Sequence, residues 1–203
     1  VTGAEALARW IPPEQGILAP NDFIPILEKN NLVYKLDFVI WETACQKLKE
    51  WKERGIDLHL SVNISPKDFY FMDIYKVFTE LVEKYGISPS KLNLEITETA
   101  VMSDPTELER LIQKLRAYGF KIEMDDFGSG YSSLNMLKDL CVDVVKIDMG
   151  FLKESEHEER SRIILKSIIS LSKELKMDVI TEGVETEAQL QFLDAIGCSL
   201  FQG

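Results

Sequence analysis

The chain has 203 residues, 45% apolar and 28% charged, which is room for one well-packed domain and not comfortably for two. Its 34 acidic residues against 23 basic ones leave a net charge of −11, which argues against a basic face that tracks the phosphates of DNA or RNA. Two histidines and three cysteines without a CxxC spacing leave little material for a His-rich zinc site, a histidine-based triad or a disulfide framework, and no apolar run is long enough to predict a membrane segment.

The first predicted strand is Thr2–Arg9, where period-two alternation places Glu5, Leu7 and Arg9 on one face. A carboxylate and a guanidinium on an inward face are costly unless they bind something; the plain alternative is an ion pair within the strand. Asp57–Ile64 follows, with Asn63 near its end as a turn former or as an amide oxygen offered to a hard cation. Lys91–Thr97 carries Glu95 behind the apolar Leu92 and Leu94, and Glu98 lies just beyond. Asp104-Pro105-Thr106-Glu107 then reads as a helix start, with Leu108, Leu111, Ile112 and Leu115 at helical spacing behind it.

Phe120–Asp125 leads into Asp125-Asp126-Phe127-Gly128-Ser129-Gly130, the strongest local signal in the chain. Two adjacent carboxylates aimed into one site repel by about 1 to 4 kcal/mol at surface-like dielectrics, and a cation relieves that repulsion. The Asp-Phe-Gly triplet also occurs in protein kinases, but no glycine-rich nucleotide loop or catalytic-loop motif accompanies it here. Val142–Asp148 places Lys146 and Asp148 on one face, and a Lys inside an apolar strand needs a carboxylate partner or a task. In the next helix Ile164, Ile168, Leu171 and Leu175 are spaced as a buried stripe. Met177–Glu182 ends on Glu182, with Glu185 soon after. Thr186 with Gln189 predicts a capping box, Gly197 suits a helix end, and Cys198–Gln202 is the last predicted strand. Cys45, Cys141 and Cys198 read as buried thiols of a reducing compartment.

Seven strands alternating with helices fit an open doubly wound sheet or a (β/α)8 barrel. Most strands end on an acidic or amide residue, and a barrel gathers such ends around one mouth, so the pattern favours the barrel. Glu5, Glu95, Asp125, Asp126 and Asn63 then form an all-oxygen donor set, which selects Mg2+ or Mn2+ over zinc. Two such ions carry +4 against four carboxylates, the profile of two-metal phosphoester hydrolysis.

These motifs, in this order, resemble the EAL domain family of bacterial phosphodiesterases. The residues carrying the resemblance are Glu5-Ala6-Leu7 with Arg9, Asn63 in Asn-Ile-Ser, Glu95 to Glu98, the Asp-Asp-Phe-Gly-Ser-Gly loop, Lys146-Ile-Asp148, Glu182-Gly-Val-Glu185 and Gln202-Gly203. Ser129 stands where Thr is usual and keeps the hydroxyl.

The resemblance implies a modified TIM-type (β/α)8 barrel with one antiparallel strand. The chain, 1–203, would be a single domain truncated at both ends within a longer cytoplasmic signalling protein, with a diguanylate cyclase-like or sensor domain elsewhere. The implied activity is opening of c-di-GMP to linear pGpG with two Mg2+ or Mn2+ ions. Glu5, Asn63, Glu95 and Asp125 would hold one ion, and Asp125 and Asp126 the second. Glu182 would deprotonate the attacking water with Lys146 assisting, Glu185 and Gln202 would support the water side, and Arg9 would contact a phosphate. Glu98 would hold the loop after Asp126, which the family also uses in a homodimer. The competing expectation is a catalytically inactive EAL domain that serves as a c-di-GMP receptor.

Overall fold

The computed structural model describes residues 1–13, 16–97, 105–127, 137, 140–148 and 158–202. By contact density the chain divides into two compact units, Val1–Lys121 and Ile122–Gly203. All strand pairings described within them are parallel. The antiparallel strand that the resemblance implies is not among those pairings. The isolated antiparallel contact that is described is a bridge between Trp10 and Leu18.

In the first unit β1 (Gly3–Glu5) pairs with β2 (His59–Ile64), and β2 pairs with β3 (Leu92–Thr97). Between β1 and β2 run α1 (Pro20–Lys29) and the long α2 (Val33–Glu53). The short α3 (Asp68–Phe71) and α4 (Ile74–Tyr85) link β2 to β3, and α5 (Pro105–Tyr118) follows. β2 and β3 are buried on both faces, which is why they read as near-continuous apolar runs. Helix α2 buries Val33, Asp37, Trp41, Ala44, Cys45 and Leu48, a stripe at helical spacing in which Asp37 is the one charged member. Trp41 and Phe78 of α4 are both fully buried, with ring centroids 4.6 Å apart. Each contributes roughly 1.5–3 kcal/mol by leaving water. Helix α4 begins at Asp73, whose side chain accepts from the Lys76 amide at 3.0 Å, and ends at Gly86 in the left-handed region.

The predicted first strand is corrected. It stops at Glu5, and the last backbone bond holding it to β2 is donated by Ala6 to the Ser61 carbonyl. Beyond that point no ladder enforces alternation, so Arg9 does not share a strand face with Glu5. Instead Arg9 is exposed, and its Nη1 donates to the Ala8 carbonyl at 2.7 Å. Within β1, Gly3 lies against the imidazole of His59, and a Cβ there would overlap that ring.

The second unit holds β4 (Lys121–Asp125), whose first residue belongs to the other unit, then β5 (Val144–Asp148), β6 (Asp178–Glu182) and β7 (Leu200–Gln202), paired in that order. Helix α6 (Glu158–Glu174) precedes β6, and α7 (Glu187–Ala195) precedes β7. The capping box of Thr186 and Gln189 is formed, and Gly197 follows the helix end with φ +83°.

The stripe expected on α6 is displaced by one residue. Leu165, Ile169 and Ser172 are buried, whereas Ile164 and Leu175 are exposed and Ile168 and Leu171 half-buried. Two rows one residue apart have identical spacing, and packing on β6 chooses between them. Cys45 and Cys198 are buried as expected, but Cys141, in the irregular stretch before β5, is exposed.

Candidate active site

In the first unit, register sets three donors on neighbouring strands. Glu5 lies opposite Ser61, and Asn63, two residues further along β2, lies opposite Glu95. Because period two keeps Ser61 and Asn63 on one face, Glu5, Asn63 and Glu95 share that face at the strands' C-terminal ends. The Asn63 Nδ2 donates to Glu5 Oε1 at 2.9 Å, which leaves the amide oxygen as the atom Asn63 can offer to a cation. Glu95 is 1% exposed, a burial that an ionised carboxylate accepts only with charged or hydrogen-bonding company.

Sequence reasoning missed the residue behind this set. Trp41 donates its indole N–H to the Asn63 backbone carbonyl at 2.9 Å, so α2 fixes the strand end from outside. The available signal was a Trp inside an amphipathic helix, whose N–H needs a partner when buried.

In the second unit Met124 pairs with Val145, so the next step places Asp125 beside Lys146. Asp148 lies opposite Glu182, and Glu182 opposite Gln202. Lys146 is 1% exposed, with its ammonium 2.7 Å from Glu182 Oε1 and 3.6 Å from Asp125 Oδ1. The expected need of a buried Lys for carboxylates is met by these two; Asp148 itself is exposed.

Asp126 is exposed and adopts φ +56°, a left-handed conformation that Asp tolerates better than most residues. Its amide donates to Asp125 Oδ1 at 2.9 Å, and the turn lets Phe127 bury itself with its amide on the Lys146 carbonyl. The two aspartates thus leave β4 in different directions. Glu185 and Gln202 are exposed, and the Glu185 amide donates to Gln189 Oε1, so that residue begins the α7 cap.

Glu98, the loop from Gly128 to Met136 with its Tyr131 and Leu134, and Gly203 lie outside the described residues. Among the described residues no three His, Cys, Asp or Glu side chains form a ready-made metal cage. The fit to a divalent ion rests on the chemistry of the donors. They are carboxylates and one amide oxygen, with the amide nitrogen already committed to Glu5, a set suited to hard cations.

The family model for the EAL domain matches residues 1–203. The chain is 36% identical to a Pseudomonas aeruginosa protein named bifunctional diguanylate cyclase/cyclic di-GMP phosphodiesterase MucR, over 99% of this chain and 30% of that protein. It is 33% identical to another P. aeruginosa protein named as a cyclic di-GMP phosphodiesterase, over 100% of this chain and 34% of the relative. The chain therefore spans about a third or less of these curated relatives.

A solved structure described as the PaMucR phosphodiesterase in complex with c-di-GMP matches with a TM-score of 0.90 at 36% identity, covering 98% of this chain and 81% of that one. The EAL enzyme Bd1971 in its cAMP and cyclic-di-GMP bound form matches with a TM-score of 0.89 at 29% identity, over 98% of this chain and 55% of that one. The fold class is the TIM-barrel-like α/β one of those structures. With the family model matching its whole length and relatives at 33–36% identity covering all or nearly all of it, this chain belongs to the EAL domain family.

Proposed function

We propose that this domain hydrolyses c-di-GMP to the linear dinucleotide pGpG with two divalent ions, Mg2+ or Mn2+. The observation that carries the reading is Lys146, buried in the middle of β5 with Asp125 and Glu182 on its ammonium. Such a group has no packing rationale, and relatives named as cyclic di-GMP phosphodiesterases share the family.

Glu5, Asn63, Glu95 and Asp125 would hold one ion, and Asp125 with Asp126 the second. The bound ions supply Lewis acidity toward a phosphodiester oxygen and toward water. Glu182 takes the proton of the attacking water as general base. Lys146 orients Glu182 and compensates its charge and that of Asp125. Arg9, exposed beyond β1, meets a substrate phosphate, while Glu185 and Gln202 support the water side and Glu98 the loop after Asp126. The domain works on the cytoplasmic side as part of a longer signalling protein. Among the described residues no helix is long and apolar enough to cross a membrane.

The test is incubation of the protein with c-di-GMP and Mn2+, with product separated by chromatography. Appearance of pGpG, and its loss in EDTA, is the expected result. Saturating Mn2+ should also raise the melting temperature, because a ligand at about 100 times its Kd adds roughly 2.7 kcal/mol of stability. Tight c-di-GMP binding without metal-dependent turnover would make the domain a receptor instead.

A homodimer through the loop after Asp126 belongs to the same proposal, motivated by the resemblance. Sedimentation at high micromolar concentration with metal and a substrate analogue checks it, and a purely monomeric boundary would remove it.

A further inference from the structure

Past Asn63 the chain turns through Ile64, Ser65, Pro66 and Lys67 to Asp68. The Ser65 amide donates to Asp68 Oδ2 at 2.8 Å, and the Asp68 amide donates to the Ser65 carbonyl at 2.9 Å. Asp68 is fully buried, and among the described residues its Oδ1 receives no N–H from an amide or a cation. Asp37 on α2 is a second buried carboxyl, close enough to act on Asp68 directly. Two carboxyl groups can hydrogen-bond to each other only when one of them carries a proton.

Among the described residues no cation acts on Asp37. Lys67 reaches the Glu28 carbonyl and Asn31 Oδ1 instead, and the Glu28 carboxylate adds negative charge toward Asp37 from α1. Burial, then the neighbouring Asp68, pushes the Asp37 carboxyl up to about 8. Burial also raises Asp68, to about 6, against the lowering effect of the Ser65 amide.

Asp37 and Trp41 are one helical turn apart on α2. Trp41 grips the turn at the Asn63 carbonyl, and Asp37 acts on it at Asp68.

We propose that Asp37 and Asp68 share one proton in the folded protein and, together with Trp41, form a positioning clamp that holds Asn63 in place as a metal ligand. The metal half of this statement rests on the proposed role of Asn63; the proton-sharing half does not.

The sign of the pH effect follows from linkage. In the unfolded chain Asp37 ionises near 3.8, whereas in the folded chain it keeps its proton to about 8. The folded state therefore binds more protons between those values, and stability from this group falls with rising pH across that window. Asp37→Asn keeps a neutral hydrogen-bonding group there without needing the proton.

In melts of the whole chain in EDTA, the Asp37→Asn variant should gain on the parent steadily from pH 5 to pH 8. A gap between the two that does not change with pH overturns the shared proton. For the metal half, Mn2+ affinity is read from the free-ion electron paramagnetic resonance signal. Asp68→Ala should weaken it by about 10–100-fold, the usual effect of losing an outer-shell partner.

Glu95→Ala serves as the control. If Glu95→Ala loses Mn2+ while Asp68→Ala binds like the parent, the clamp is wrong. If neither variant loses Mn2+, the ligand reading fails and the positioning role falls with it. The melts then judge the shared proton by themselves. Should Asp68→Ala fold poorly, Asp68→Asn replaces it: it keeps an acceptor for Ser65 and should retain most of the Mn2+ affinity that Asp68→Ala loses.

Discussion

Glu182→Gln is expected to lower kcat for c-di-GMP by about 10²–10⁴-fold, the range for losing a positioned general base. The substitution keeps the size of the side chain and a hydrogen-bonding oxygen near the Lys146 ammonium, now 2.7 Å from Glu182 Oε1. It removes the capacity to accept a proton, together with the negative charge that pairs with Lys146. Substrate affinity should stay within about tenfold of the parent, a difference of 1.4 kcal/mol, because the proposed metal ligands are untouched. Single-turnover kinetics and calorimetric titration with c-di-GMP separate the two quantities. Near-parental turnover in the variant would exclude Glu182 as the base, and a parallel collapse of binding would make it a ligand.

The second large effect is on stability. Lys146→Met leaves Asp125 and Glu182 facing a position that is 1% exposed, with no ammonium between them. Breaking a buried ion pair by removing one partner costs about 3–5 kcal/mol, since the remaining charge is stranded. Urea denaturation in EDTA should show that loss, and adding Glu182→Gln to the variant should recover part of it. A single variant within about 1 kcal/mol of the parent would mean that water already solvates the pair. Turnover should fall as well, because Glu182 loses the group that orients it.

The two variants divide the work of one strand-end cluster. β4, β5 and β6 run parallel and in register, so Asp125, Lys146 and Glu182 arrive side by side without any loop having to place them. Strand ends are stiffer than loops, which suits residues that must hold a proton acceptor in fixed orientation.

The chain order of polar strand ends was readable directly, because period two and β-branched runs are local properties. Asn63, Glu95, Asp125, Lys146 and Glu182 all occupy the strand positions expected of them. So were the cap at Thr186 and the start of α5 at Pro105, which depend on neighbours three or four residues away.

What the sequence could not decide were choices between locally allowed alternatives and partners far apart in the chain. The Ile164 row and the Leu165 row of α6 are equally spaced, and although the first is the more apolar, docking on β6 buries Leu165, Ile169 and Ser172 of the second. Strand β1 could have continued to Arg9 by pattern, but β2 supplies no partner beyond Ala6. Trp41 lies 22 residues from Asn63, and Asp37 lies further still from Asp68. No periodicity links such pairs. They meet because α2 packs against β2 and α3, and that packing sets one buried carboxyl, costly by itself, beside a second.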